Sequence, residues 1–456
     1  MRSILFIIIL ATCTISTIFS QEIVGAWNGI LNTGTVTLPV VFHIEETENG
    51  YLTLMDSPNQ GTKGVITTST VLKKNILIIN ITKYFAIFKG KVKKNTIKGT
   101  FTQMGVSYDL ILTRGEIIYR RPQDPQPPYP YISEEVQFEN KSADITLAGT
   151  YTYPATGNNF PVAILISGSG AQNRDEEIFN HRPFHVLADY LSRYGIGVLR
   201  YDDRGTGASQ GVYHTATLED FTSDVAAALS YLHSRKEINP QKTGLIGHSE
   251  GASIAFMLAG KDTALAFIVS MAGATIKGDS LMKLQRYFIS KAMNISDKNI
   301  MENEQLVETM NVLIQQHTAD SVYNYPELFV DEIIPSKVKN NASTRNAYKN
   351  ELIKLASPNM QSFLRYNPTE DLQKIKCPVL AINGEKDLQV PAAINLDNFG
   401  KCITSYLTVK EYSYLNHLFQ RANTGLVSEY GMIEETIAPD VIRDIASWIQ
   451  QVMNDF

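Results

Sequence analysis

Residues 243–259 read Thr-Gly-Leu-Ile-Gly-His-Ser-Glu-Gly-Ala-Ser-Ile-Ala-Phe-Met-Leu-Ala. The short apolar run Gly244–Gly247 reads as a buried strand, and the apolar spacing across Ser249–Gly260 reads as a helix. The turn between them, Gly247-His248-Ser249-Glu250-Gly251, holds a serine on a strained corner with its hydroxyl exposed. The glycines two before and two after relieve the crowding that such a corner creates.

Working outward, Val162–Ser167, Gly197–Tyr201, Leu265–Met271 and Val379–Asn383 are also nearly continuous apolar runs, the pattern of strands buried on both faces of a parallel sheet. Phe184–Tyr194 and Leu218–His233 carry helical spacing, and Thr217 with Asp220 forms a capping-box pattern for the second. This alternation predicts an α/β class chain with a mostly parallel, doubly wound sheet over residues 133–456. Its ligand crevice should lie at the carboxyl ends of the strands. Between Met271 and Cys377 the strand rhythm stops. Asp279–Met293, Asn299–Ala319 and Thr344–Leu355 read as helices, so residues of about 275–370 read as a helical cap inserted over the strand ends.

Residues 21–118 differ. Leu38, Val40, Phe42 and Ile44 alternate along one run, Asn49-Gly50 is a hairpin signal, and further strands are expected at Ile76–Ile81, Tyr84–Val92, Thr96–Gln103 and Ser107–Thr113. The expectation is a small all-β sandwich or barrel. Lys89, Lys91, Lys93, Lys94 and Lys98 make its one basic cluster, which reads first as a solvated strand face. Residues 119–132 include five prolines in the twelve residues Arg120–Tyr131 and read as a stiff linker. Ahead of everything, Met1-Arg2-Ser3 and the apolar run Ile4–Phe19 lead to Ser20. Residues 1–20 therefore read as a signal peptide cleaved near Ser20, which places the mature chain in the periplasm or outside the cell.

The formal net charge over 456 residues is −5, which supplies no positive field and argues against a nucleic-acid partner. No other run is long enough to remain as a membrane span after processing. Of three cysteines, Cys13 falls in the signal segment, and Cys377 and Cys402 each open an apolar run, which suits buried free thiols.

A serine hydroxyl is a poor nucleophile until a base takes its proton, and that base must be oriented by an acid. His417 is the only histidine after Asp387 and follows the run Tyr406–Val409, where a last strand should end. Asp387 sits in the turn Asn383-Gly384-Glu385-Lys386-Asp387, long enough to reach the strand ends, with Glu385 as the rival acid. A second serine motif, Gly207-Ala208-Ser209-Gln210-Gly211, lacks the strand-then-helix frame, so Ser249 is the expected nucleophile. A tetrahedral intermediate needs backbone N–H donors. The candidates are Glu250, which follows the nucleophile, and Ser169 in the loop Gly168-Ser169-Gly170. His181 and His185 are interrupted by Pro183 and make no metal motif, so neither metal nor organic cofactor is expected. His248 reads as a packing residue, and Arg204 as an anchor for Asp202 or Asp203.

The elbow Gly-His-Ser-Glu-Gly, the loop Ser167–Gly170, the run Tyr201-Asp202-Asp203-Arg204-Gly205-Thr206-Gly207, the acid turn and the segment Leu415-Asn416-His417 together resemble a bacterial exported α/β-hydrolase. The resembling group comprises carboxylesterases and serine-aminopeptidase-like hydrolases with a small β domain in front. The likeness covers residues of about 134–456, and the front domain only through its position and Gly25-Ala26-Trp27. One departure is Ser167, where many relatives carry histidine before the glycine. The resemblance implies a triad of Ser249, Asp387 and His417 and small-molecule ester substrates. The expected activity is carboxylic ester hydrolysis through an acyl-enzyme. Two alternatives stand beside it. One is an exopeptidase with the same triad, in which Glu302, Glu304 and Glu308 of the cap hold a substrate amino group. The other is an inert carbohydrate-binding protein dominated by the front domain.

Overall fold

Alternation in the front segment closes a barrel. The computed structural model describes residues 23–455, apart from 34–36, 59–61, 118, 158, 262–263, 337, 340 and 404–405; the expected signal segment lies outside the described residues. The strands are β1 (Gly25–Asn32), β2 (Thr37–Thr47), β3 (Gly50–Ser57), β4 (Thr62–Ile66) and β5 (Ser69–Lys73). They continue with β6 (Ile76–Ile81), β7 (Ala86–Lys93), β8 (Thr96–Gln103) and β9 (Val106–Arg114). They run in the order β2-β1-β9-β8-β7-β6-β5-β3-β4, and an additional β2–β3 pairing closes the ring, so that β4 alone hangs from it. Closure removes the unpaired edges that an open sheet would present. Along β7 every second residue is buried, which sends Lys89, Lys91 and Lys93 to the outer face. Inside, Trp27 is fully buried and donates its indole N–H to the Ile23 carbonyl at 2.7 Å. The hairpin falls one residue earlier than the sequence reading placed it. Thr47 pairs with Gly50, the loop is Glu48-Asn49, and Gly50 opens β3 at φ +121°.

The chain divides at residue 118 into two compact units. In the second unit the Pro-rich stretch is bound down at its start. The Arg121 guanidinium donates to the carbonyls of Phe179, Asn180, Gly431 and Ile433. The sheet strands are β10 (Tyr131–Asn140), β11 (Ile145–Pro154), β12 (Val162–Ile166), β13 (Gly197–Tyr201), β14 (Thr243–His248), β15 (Ile268–Met271), β16 (Val379–Gly384) and β17 (Leu407–Tyr412). Their order is β10-β11-β13-β12-β14-β15-β16-β17, parallel from β13 to β17, with an antiparallel pair at one edge. Helices α1 (Pro183–Arg193), α2 (Leu218–Ser234) and α3 (Glu250–Ala259) join the first strands.

Period-two geometry builds both faces of this sheet. Val162, Ile164 and Ile166 of β12 pack with α2 and α3, whereas Ala163 and Leu165 pack with α1. Each such aliphatic side chain, fully buried, contributes about 1.5–3 kcal/mol. The box at the start of α2 is present, with Thr217 accepting from Asp220 N–H and Asp220 returning to Thr217 N–H.

Between β15 and β16 lie α4 (Gly278–Ala292), α5 (Asp297–His317), α6 (Ala319–Asn324), α7 (Val330–Ile333), α8 (Ala342–Ala356), α9 (Pro358–Arg365) and α10 (Thr369–Lys374). After β16 come α11 (Ala392–Cys402), α12 (Val427–Tyr430) and α13 (Pro439–Asp455); α13 joins α1 on its face of the sheet. β12 has β13 on one side and β14 on the other, so the winding reverses at β12 and leaves a crevice where the loops after β12 and β14 separate. This is the α/β-hydrolase architecture. Among the described residues no helix is long and apolar enough to cross a membrane. Cys377 and Cys402 are both buried and free; burial pushes the Cys377 thiol up to about 12.

Candidate active site

Ser249 sits between β14 and α3 at φ +53°, ψ −118°, a conformation that costs about 1–3 kcal/mol and survives only where its surroundings enforce it. The two elbow glycines do so by contact. A Cβ on Gly251 would lie 2.1 Å from the Ile166 carbonyl oxygen of β12, and one on Gly247 would lie 2.3 Å from the Gly251 carbonyl oxygen. The Ser249 side chain makes no capping bond to α3; the residue lines a cavity of about 220 Å³ together with Ser169, Glu250 and residues of α4, α8 and α9.

Asp387 and His417 meet beneath the same strand ends. His417 Nδ1 lies 2.7 Å from Asp387 Oδ2, and both residues are under 5% exposed. The other carboxylate oxygen, Oδ1, accepts the N–H groups of Gln389 and Val390 at 2.8 Å each. The two loops are also knitted by backbone: Lys386 N–H donates to the Leu415 carbonyl. The Asn416 side chain braces the turn by accepting from Leu418 and Gln420 N–H. Glu385 instead turns outward and accepts Tyr414 N–H at 3.0 Å.

In the loop after β12, Gly168 N–H donates to Glu176 Oε1 at 2.7 Å and Gly170 N–H to the Tyr213 hydroxyl at 2.8 Å. Between them Ser169 lines the cavity, and among the described residues its N–H has no acceptor. Glu250 N–H is the first of α3, where a helix leaves its donors unsatisfied. Ser209 is elsewhere. Its Oγ donates to the Asp202 carbonyl at 2.7 Å and accepts Ala148 N–H at 2.9 Å, so it pins β11 to the loop after β13.

A family model described as serine aminopeptidase, S33, matches residues 181–421, just over half the chain and all three residues Ser249, Asp387 and His417. The chain belongs to the serine aminopeptidase S33 family. Among relatives of this S33 chain, esterase EstD of Thermotoga maritima is 34% identical over 126 residues, 27% of this chain and 30% of that protein. Polyketide transferase claH of Penicillium crustosum is 25% identical over 272 residues, 57% of this chain and 82% of that protein. The α/β-hydrolase GrgF from Penicillium sp. sh18 superposes with a TM-score of 0.46 at 16% identity, over 71% of this chain and 98% of that one. The Pyrococcus furiosus esterase PF2001 gives 0.42 at 14% identity, over 75% and 99%.

Several parts of this S33 site differ from the sequence reading or lay outside it. Arg204 does not pair with Asp202 or Asp203. Its guanidinium reaches α2, bidentate on Asp224 at 2.7 and 2.9 Å, while Asp202 is held by Arg174. Asp203 is half-buried under the loop after β12, accepting from the Ser167 hydroxyl and Gln172 N–H. Burial, aided by Glu176 and Glu250, pushes its carboxyl up to about 8 despite those bonds. The Glu250 side chain is also buried, and that burial pushes its carboxyl up to about 7. Glu304 pairs with Arg286 and Glu302 with Lys298, and Glu304 and Glu308 line a surface groove away from Ser249. The three cap glutamates therefore lie outside the cavity. His181, buried, is used up by Thr436 and the Tyr430 carbonyl. His248 is bonded to Glu176 and to the His417 carbonyl. Its adjacency to the motif was legible, but not its partners.

Proposed function

We propose that this S33 hydrolase cleaves small carboxylic esters through an acyl-enzyme on Ser249. The observation that carries the reading is the buried Asp387–His417 pair beside the strained elbow, with its acceptor nitrogen Nε2 left for the serine proton. Asp387 accepts Nδ1–H, which fixes the tautomer and steadies the imidazolium once the proton arrives. Ser249 Oγ attacks the carbonyl as His417 removes its proton, and the oxyanion rests on the N–H groups of Ser169 and Glu250. His417 then protonates the leaving alkoxide, and water repeats the cycle. The cavity, about 220 Å³, is below the 300–1,000 Å³ usual for drug-sized ligands, and its walls include Leu281, Met282, Met360, Phe363 and Val390. Short apolar acyl groups fit such a space. With the sequence signal at residues 1–20 the proposal includes export.

A second reading has one observation in its favour. Glu250 lines the same cavity as Ser249, and its carboxylate is the one acidic group among the described residues of the cavity's walls that would pair with a substrate ammonium, as an aminopeptidase requires. Paired assays on a p-nitrophenyl acyl ester and an aminoacyl p-nitroanilide separate the two. The ester reading expects a pre-steady-state burst on the ester and fluorophosphonate labelling that is lost in Ser249→Ala. Turnover confined to the anilide would overturn it.

A further inference from the structure

His248 precedes the elbow serine, and both its ring nitrogens face acceptors. Nδ1 lies 2.8 Å from Glu176 Oε1, and Nε2 lies 3.0 Å from the His417 carbonyl oxygen. Both side chains are buried, 7% and 5% exposed. A carbonyl never donates, and the carboxylate oxygen already accepts Gly168 N–H. Each nitrogen therefore donates, and a ring donating twice is an imidazolium. Burial opposes that charge, but the Glu176 charge and hydrogen bond, the His417 carbonyl and Asp387 outweigh it and raise the proton affinity of His248.

We infer that His248 and Glu176 form a buried positioning pair that fastens the loop after β12, through Gly168, and the His417 loop, through its carbonyl, to the residue before the nucleophile. The inference rests on the function proposed above and adds two residues to it that touch no substrate: neither lines the cavity beside Ser249. The pair sets the spacing between the oxyanion donor Ser169 and the base. It also places a cation beneath that base, the rings of His248 and His417 being 4.8 Å apart between centroids. The other charged groups around it are Asp387, on the far nitrogen of His417, and Asp203, which feels both Glu176 and Glu250.

The test uses the full chain with His248→Gln and Glu176→Gln, reading the rate of Ser249 labelling by a fluorophosphonate across pH, ester kinetics, and the thermal midpoint. Misplacing the reacting groups by an ångström costs about 10²-fold, so each variant should label about 10- to 100-fold more slowly. On a turned-over ester the loss should sit in kcat, with KM within about threefold. His248→Gln leaves the Glu176 charge uncompensated and should move the acid inflection upward by about half a pH unit or more. Glu176→Gln should not move it upward. A merely structural pair would slow both variants without this divergence. Wild-type rates in both variants, or inflections moved upward by both, overturn the pair alone. A wild-type chain that does not label overturns the proposed function and the pair together. If His248→Gln does not fold, Glu176→Gln, which exchanges one oxygen for nitrogen, and the double variant carry the same comparison.

Discussion

Replacing Asp387 by asparagine tests the orientation of the base, and the structure fixes which way the amide must face. Oδ1 of Asp387 accepts two N–H groups, from half-buried Gln389 and buried Val390, at 2.8 Å each. An asparagine must put its carbonyl oxygen there, because the opposite rotamer sets an NH₂ against two N–H donors. That rotamer loses two hydrogen bonds of about 1 kcal/mol each and leaves both donors unsatisfied at about 1–3 kcal/mol apiece. The amide NH₂ therefore faces His417 Nδ1, which must accept, and the ring proton moves to Nε2. In that tautomer Nε2 cannot take the serine proton. Recovering the productive tautomer opposes N–H to NH₂ at a cost of about 4 kcal/mol, so kcat should fall about 10³-fold. Shape and backbone bonds are kept, so the thermal midpoint should stay within a few degrees. The assay is kcat on a p-nitrophenyl ester with unfolding measured in parallel, and Glu385→Gln as the comparison, since the Glu385 carboxylate turns outward and accepts Tyr414 N–H rather than meeting His417. A kcat for Asp387→Asn within tenfold of wild type, or a larger loss in Glu385→Gln, would refute the reasoning.

Other expectations follow from the same contacts. Ser249→Ala should abolish turnover, whereas Ser209→Ala should keep kcat within about threefold while losing about 1–3 kcal/mol of stability from its two backbone bonds; equal kinetic losses would reverse the assignment. Gly251→Ala places a Cβ 2.1 Å from the Ile166 carbonyl, so α3 must move off β12. Stability should drop by about 3 kcal/mol or more in urea melts, and an unchanged melt would show that the elbow is not enforced by that contact. Glu250 at about 7 and Asp203 at about 8 bind protons more tightly folded than unfolded, so stability falls as pH rises toward those values. His181, pushed down to about 4 by burial, acts oppositely between about 4 and its ordinary 6.5, adding stability as pH rises. Above about pH 6.5 the slope is downward, set by the two acids together with His248, whose proton affinity is also raised in the fold, and Glu250→Gln should make it shallower near pH 7; an unaltered slope would mean that Glu250 does not contribute.

What the sequence discloses and what it hides divide along chain distance. β6, β8 and β13 are found at the expected residues because uninterrupted apolar runs or strict alternation leave one way to bury them. The capping box needs only Thr217 and Asp220, three apart. The triad candidates could be ordered because the strand-turn-helix frame around Ser249 locates the strand ends at which Asp387 and His417 must also arrive. The edge hairpin β10–β11 was not foreseen. Glu134, Glu135, Gln137 and Glu139 make β10 read as surface, which is what an edge strand shows to solvent. Short α6, α7 and α10 are too brief to display a helical period.

Charged partners were the least legible, and for a specific reason. Arg204 has two aspartates as chain neighbours, yet it binds Asp224 on α2, because α2 passes over the loop after β13 and the neighbouring Asp202 is taken by Arg174. Glu176 lies in Asn173-Arg174-Asp175-Glu176-Glu177, as polar a stretch as any exposed turn, and becomes buried only when the loop folds back onto His248, 72 residues on. A sequence shows how much charge a segment carries, whereas the sign and worth of each buried charge depend on which loops the sheet brings together. At this site the sheet brings together Asp203, Glu176 and Glu250, three carboxyls largely withdrawn from water, with His248 bonded to one of them. Two of the three carboxyls are held toward the neutral form near neutral pH, which keeps net negative charge away from the position where the proposed oxyanion would develop.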